Sequence, residues 1–457
     1  MSATFPSPAP DGTPARTLRS APAPLPPARS QTSPQAASVA PTRGRRLAWL
    51  DALRGIAALF VVFDHLSYHV LQSVRGAVYH VFDPGLYGVF VFFMVSGYII
   101  PASLERKGSI RSFWLSRLFR LFPLFGFAIV AVFVMHGFGY ASLRDANTHP
   151  TAAVFAHLFM LSDVLGVSNV INVLWTLSYE MVFYLLLTAL FAVGVHQRSE
   201  RFAVGFAAAA LLLGGLLPTV WLSHSSLGVT SVAVAADLLI IGGLALAVVG
   251  HRLPRTLGAW LAAATGLTLV AFNERVYAYE GLTILALMFT GTMLYRAEHG
   301  QIARRKAATL AIVVFAAAIA AGAWHIASIY PHDPGLRQRQ WILSVALAGL
   351  TFAIGMALRK LPVPSVLAWL GLVSYSIYLL HPLLIDVYTE VPWTHGSHPF
   401  GVQVVLAAGF LAALLAVCAV TYYLVEAPMQ RLGHRVAARL DARFGPDRLA
   451  TTGVPAS

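Results

Sequence analysis

The sequence predicts an all-α integral-membrane fold: a polytopic bundle of about 10–12 transmembrane helices with its N- and C-termini in the cytoplasm. Three observations predict it. The 457 residues are 57% hydrophobic and only 11% charged, against about 25% charged in a soluble globular domain. The apolar residues gather into runs of about 17–25, the length that crosses a bilayer. The basic residues collect in alternate loops between those runs. This pattern argues against a soluble enzyme, a nucleic-acid module and a secreted disulfide scaffold. The single cysteine, Cys418, lies in an apolar run, so neither a disulfide framework nor a thiolate metal cluster is expected.

Residues 1–42 hold 10 of the 26 prolines and no apolar run. They read as a disordered Pro/Ala/Ser-rich cytoplasmic extension, and lack the apolar core of a signal peptide. The transmembrane domain is expected over 43–432 and a basic cytoplasmic tail over 433–457. Candidate spans are 47–71, 86–104, 121–139, 171–195, 202–222, 229–250, 256–272, 280–295, 307–329, 340–358, 366–388 and 401–425. The stretch 151–166 is apolar but carries His157 and Asp163, so it reads as a re-entrant or interfacial piece. One set of loops holds Arg43, Arg45, Arg46, Arg106, Lys107, Arg198, Arg252, Arg304, Arg359 and Arg431; the alternate set holds only Arg75, Arg144, Arg275, Arg337 and Arg339. Both termini are therefore read as cytoplasmic. The net charge of +13 is largely this topology signal, and nucleic acid is not an expected partner. The basic residues are 29 Arg and 3 Lys. With abundant Ala, Gly and Pro this suggests a GC-rich bacterial genome, and hence a multi-pass protein of a bacterial cytoplasmic (inner) membrane. No motif of the first half recurs in the second, which argues against transporters built from internal repeats.

Ionisable side chains inside a bilayer are costly and mark function by default. Here they are Asp51, Arg54, Asp64, His65, Glu180, Asp237, His381, Asp386 and Glu426. Arg54 and His65 are eleven residues apart on the first run. That spacing is three helical turns plus roughly 20°, so both project from one face about 16 Å apart. Arg54 then lies near the cytoplasmic side and His65 in the outer half. Ser96 and Gly97 end the second run with small residues that allow close helix approach. Arg117 and Arg120 are i, i+3 neighbours at the entrance to the third run, either an inside-positive anchor or a clamp for phosphate. Glu180 and Tyr184 share a face of the fourth run, with Glu180 about 14 Å from its outer end. Ser374, Tyr378 and His381 follow i, i+4, i+7 spacing and form one stripe. By this count His65, Glu180 and His381 lie at similar depth, with the arginines at the inner side.

Two such layers suit a bisubstrate site. A phosphate-bearing donor docks against Arg54, Arg117 and Arg120, and an imidazole in the outer half removes a proton from an acceptor hydroxyl. Glu180 is placed to orient His65 or stabilise its charged form. No metal site is expected: His65 and His69 share a face, but no further ligand can be assigned to them. A phosphate-binding glycine loop is not seen.

At these residues the chain resembles membrane acyltransferase family 3, the integral-membrane O-acyltransferases of surface polysaccharides and natural products. Its Arg-x10-His pattern matches Arg54 and His65. Its Phe-Phe-x-x-Ser-Gly-Tyr element matches Phe92, Phe93, Ser96, Gly97 and Tyr98. Arg-x-x-Arg-x-x-Pro matches Arg117, Arg120 and Pro123, and Trp-x-Leu-x-x-Glu-x-x-Phe-Tyr matches Trp175, Leu177, Glu180, Phe183 and Tyr184. The Ser-Tyr-x-x-Tyr-x-x-His-Pro and Glu-x-Pro elements match Ser374 to Pro382 and Glu426 to Pro428. Singly these elements are weak; in this order, over about residues 47–432, they are specific. The resemblance implies roughly ten spans in the core and acyl-CoA, usually acetyl-CoA, as co-substrate, with no permanently bound cofactor. It implies His65 as catalytic residue with Arg54 as donor-binding or catalytic partner. Glu180 is expected in the catalytic set, Arg117, Arg120 and Ser96 on the donor, and Trp175, Tyr184, Tyr378 and His381 on the acceptor. The acceptor is expected to be a glycan or hydroxylated small molecule, and polysaccharide-assembly proteins are expected partners beside the lipid bilayer. Some members carry a C-terminal hydrolase-like domain. About 30 residues follow the last run here, so the resemblance implies either direct transfer or completion by a separate protein. The competing expectation is a proton-coupled transporter or flippase using His65, Glu180 and His381 as a polar relay.

Overall fold

A computed structural model describes residues 47–444 except 142, 144–147, 226–227, 333 and 392–397. The extension 1–42, Arg43, Arg45, Arg46, Arg144 and the end of the tail lie outside the described residues. The chain is helical throughout what is described. In order the helices are α1 (Ala48–Ser67), α2 (Gln72–Tyr79), α3 (Pro84–Lys107), α4 (Ile110–Gly137), α5 (Pro150–Leu158), α6 (Trp175–Val193), α7 (Ser199–Leu213), α8 (Trp221–His224) and α9 (Gly228–Val249). They continue as α10 (Arg252–Phe272), α11 (Ala278–Glu298), α12 (Arg304–Ile329), α13 (Pro334–Leu358), α14 (Ser365–Leu372), α15 (Ser374–Thr389), α16 (Phe400–Thr421) and α17 (Ala427–Phe444).

Local chemistry sets the ends. Asp83 caps α3 by accepting from the Leu86 N–H at 2.8 Å, with Pro84 at the first helical position. Gly108, at φ 61°, ends α3 in the left-handed region, and Ser109 then caps α4.

Among the described residues, eight helices are long and apolar enough to cross a membrane, nine if a bent pair counts as one span. The molecule is thus a multi-pass membrane protein. Each of the twelve apolar runs falls on a helix, and the difference has local causes. α1 carries Asp51, Arg54 and Asp64 within its 20 residues. α7 has only 15 residues: the run 202–222 stops being helical at Leu213, where Gly214 and Gly215 press against Tyr279 and His325. α11 is the most enclosed helix, buried from Gly281 through Met293. The run 366–388 is two helices meeting at 67°. The bend lies where Gly371 crosses α1, with the Asp51 carbonyl only 1.9 Å from where a Cβ would sit.

α1, α3, α6 and α11 form the centre. α1 packs on α3, α14 and α15, and α11 on α3 and α7. Around them stand α4, α9, α10, α12, α13 and α16. Burial separates the layers: 83% of the apolar window of Asn172–Val193 is buried, against 28% in Ile110–Gly137. The outer helices expose Val130, Phe133, Ile312, Trp324 and Val405, as a lipid-facing surface requires. α17 runs through position 433, where the tail was expected to begin. It packs on α4, with Gly433 against Phe119 and Arg111 paired to Asp441 at 2.5 Å.

The stretch 151–166 is not a spanning helix. α5 is followed by an irregular segment whose residues 160–168 are nearly all buried. Its polar groups are answered internally: His157 accepts from the Val170 N–H, and Ser178 bonds the Asp163 N–H and the Met160 carbonyl. The helix bearing Glu180 therefore starts at depth, inside the protein.

Candidate active site

Two polar cavities are stacked along α1. The first, about 70 Å³, is lined by Arg54, Arg117 and Arg120, by Glu180, Ser96, Thr176 and Ser374, and by Tyr375 and Tyr378, closed on its apolar side by Phe92, Phe93 and Leu121. The second, about 320 Å³, is lined by His65, Tyr68, His69, Tyr140, Asn172 and Asp386. One helix thus serves both, as the eleven-residue spacing requires: Arg54 opens on the first and His65 on the second.

The first cavity gathers positive charge. Three guanidinium groups converge from α1 and α4 with a single carboxylate, Glu180. Among the described residues ion pairs form at Arg75, Arg111, Arg296, Lys306 and Arg359, and none of these takes Arg54, Arg117 or Arg120. Buried Arg117 keeps its Nε–H without a hydrogen-bond partner. Its guanidinium carbon lies 5.7 Å from the ring centres of both Phe113 and Tyr184. Glu180 accepts from the Tyr184 hydroxyl. Arg54 has Asp51, Glu180 and Glu426 as acidic neighbours and Arg120 as a like-charged one. Ser376 holds buried Glu426 by donating to its Oε1.

The sequence placed Glu180 in the outer layer beside His65. The structure puts it among the arginines, because the buried segment ahead of α6 carries the helix start inward. His381 is brought to His65: its Nε2 lies 3.1 Å from His65 Nδ1. Tyr378 lines the first cavity, its hydroxyl 2.8 Å from Thr176 Oγ1 and donating to the Val173 carbonyl at 3.1 Å. These bonds tie α15 to the start of α6 between the two cavities. Trp175 lines neither cavity and packs edge-on against Tyr179, ring centres 6.0 Å apart. Tyr184 is fully buried behind Glu180. Ser96 does line the first cavity, while Gly97 carries the close packing: a Cβ there would sit 1.9 Å from the Met288 carbonyl of α11. Thr176, Tyr140 and Asn172 were not singled out by the sequence; neutral residues in apolar or loop segments give no signal of cost in the membrane.

The chain is similar to known proteins. Residues 47–425 match a family described as an acyltransferase domain. The chain is 26% identical over 409 residues to "Nodulation protein 10" of Rhizobium leguminosarum bv. viciae, covering 85% of this chain and 95% of that protein. It is 29% identical over 168 residues to "Putative acetyltransferase ORF330" of Acidianus two-tailed virus, covering 36% and 47% respectively. It is 26% identical over 180 residues to "Putative O-acetyltransferase SACOL0978" of Staphylococcus aureus (strain COL), covering 35% of this chain and 27% of that protein. The match thus takes in nearly all of the first relative but less than half of the other two. No solved structure matches the chain.

Proposed function

The chain belongs to the acyltransferase family that its residues 47–425 match, and on that premise we propose an integral-membrane O-acyltransferase that moves an acyl group, acetyl by preference, from cytoplasmic acyl-CoA to a hydroxyl of a glycan or related acceptor. The observation that supports this most is the pair of cavities on α1, three arginines at one and a histidine at the other.

The arginine cavity takes the phosphate-bearing end of the donor. Guanidinium suits phosphate because its fork of N–H groups matches two oxygens at once. The extended arm of a CoA thioester carries its acyl carbon away from the phosphates, along the roughly 16 Å of α1 between Arg54 and His65. The acceptor enters the outer cavity, whose aromatic, amide and carboxylate lining suits a sugar: Tyr68, Tyr140, Asn172 and Asp386. His65 Nε2 removes the hydroxyl proton as the oxygen attacks the thioester carbon. The C–O bond forms, the C–S bond breaks, and the imidazolium returns its proton to the departing thiolate. The basic loops beside Arg54 support a cytoplasmic face for the donor side and a bacterial inner-membrane location.

The test uses membranes carrying the full chain, labelled acetyl-CoA and a panel of glycans. We expect His65→Ala and Arg54→Ala each to lower transfer by about 100-fold or more, the scale of losing a proton-transfer group or a charge clamp. Undiminished transfer in His65→Ala overturns the reading. Absence of transfer in wild type, with uptake of a solute intact, makes the protein a transporter instead.

A further inference from the structure

Resting on that reading of His65, we propose that His381 is its positioning residue: it accepts the Nδ1 proton of His65 and fixes the tautomer whose Nε2 lone pair is left for the acceptor hydroxyl.

Three hydrogen bonds settle where the protons lie. His381 Nδ1 is 2.9 Å from the Ile377 carbonyl. A carbonyl only accepts, so this nitrogen carries a proton. In the neutral ring the other nitrogen, Nε2, is then a bare lone pair. That Nε2 faces His65 Nδ1 at 3.1 Å, so the proton between them belongs to His65. An independent contact agrees: His65 Nδ1 is 3.0 Å from the Val61 carbonyl, which also demands a proton there. The alternative, a doubly protonated His381 donating to His65, would set two acceptors, His65 Nδ1 and the Val61 carbonyl, against each other at 3.0 Å. A proton on His65 Nδ1, shared between the Val61 carbonyl and His381 Nε2, meets all three contacts, and in the neutral ring it leaves Nε2 bare on a side chain that lines the outer cavity.

His381 is itself unsuited to act on substrate. It is fully buried, and both ring nitrogens are engaged. Pro382 has no N–H for the Tyr378 carbonyl four residues before it, while the His381 ring bonds the Ile377 carbonyl one residue earlier. The ring thus answers a helix carbonyl with one nitrogen and presents the other to α1. A neutral acceptor also fits the setting. When His65 becomes imidazolium, its Nδ1–H bond to His381 becomes charge-assisted and strengthens. No second charge has to be held desolvated in the protein interior, as a carboxylate would be.

The experiment compares His381→Leu, which removes the acceptor, with His381→Gln, whose side-chain oxygen restores one. The first readout is ¹⁵N magnetic resonance of histidine-labelled protein in lipid, with the His65 signals identified by their loss in His65→Ala. Wild type should show a protonated Nδ1 and a bare Nε2. The Nδ1 signal should move in His381→Leu and stay near its wild-type position in His381→Gln. The second readout is transfer of labelled acetyl from acetyl-CoA onto glycans in membranes of the expressing cells. His381→Leu should lower kcat by about 10–100-fold, as when an orienting partner of a reactive imidazole is removed, with the KM for acetyl-CoA within twofold. His381→Gln should recover most of the rate. A protonated Nε2 on His65 in wild type, or an Nδ1 signal unmoved in His381→Leu, overturns the proposal without reference to activity. Full kcat in His381→Leu, with His65→Ala inactive, overturns the positioning role and leaves His65 standing. Full activity in His65→Ala instead removes the premise.

Discussion

Arg117 lies beside two aromatic rings and has an Nε–H with no protein partner. We expect its donors to meet a ligand anion. Lysine has neither the plane nor the fork. We expect Arg117→Lys to raise the KM for acetyl-CoA about tenfold while leaving the KM for acceptor unchanged. A rise in acceptor KM alone would return Arg117 to the role of a membrane-edge anchor. At this scale the sequence was legible where a costly group repeats on a helical face: Arg54 and His65, or Tyr378 and His381. It was illegible where depth depends on neighbours. Counting from an assumed outer end put Glu180 near His65, because the re-entrant character read for 151–166 does not say how far inside the protein the next helix starts. Nor does helical spacing reveal that His381 meets a residue 316 positions away.

Between elements, tolerance is set by backbone approach. α3 and α11 pass so closely that Gly97 faces the Met288 carbonyl and Gly291 faces the Met94 carbonyl. Thr292 fastens the crossing by donating to the Gly97 carbonyl at 2.8 Å. A methyl group at Gly97 would force two backbones apart, and flexible side-chain ends cannot absorb that shift. Gly97→Ala is expected to cost about 1–3 kcal/mol, the usual penalty of overpacking, read as a lower unfolding temperature in detergent; an unchanged temperature would mean the crossing is slack. The pair holding α17 to α4 sits at the other extreme. Arg111 and Asp441 meet at 2.5 Å, but the Asp441 side chain is 36% exposed. Asp441→Asn should therefore change stability by less than about 1 kcal/mol, and a larger loss would show that α17 depends on that one contact. The small residues were legible as a packing motif. The bend at Gly371 was not, since its cause is the backbone of α1, more than 300 residues earlier.

For the molecule as a whole, one half-buried histidine contributes a response to acid. His196 follows α6, and burial together with Arg296 pushes its pKa down from 6.5 to about 4. At neutral pH it is uncharged, so its 3.8 Å approach to Glu105 is no ion pair; Glu105 pairs instead with Arg296. The unfolded chain takes up a proton near pH 6.5 and the folded one only near 4. Stability contributed by His196 is thus present above 6.5 and is lost as the pH falls toward 4. His196→Gln should flatten that part of the curve, and an unaltered acid profile would assign the loss to other groups. The helices themselves could be read from the apolar runs. The two cavities could not, because they form only where α1, α4, α6 and α15 converge.

Two cavities stacked on one helix would, if both filled with water, amount to most of a pore. What interrupts it is the narrow tie of Tyr378 to Thr176 and the Val173 carbonyl. We expect that tie to make the protein an electrical insulator as well as a scaffold, so that a membrane storing energy as an ion gradient can carry many copies without discharging. Tyr378→Ala should let proteoliposomes lose an imposed pH difference measurably faster than wild type, followed with an entrapped dye. Equal decay would move the barrier to the apolar wall of Phe92 and Phe93.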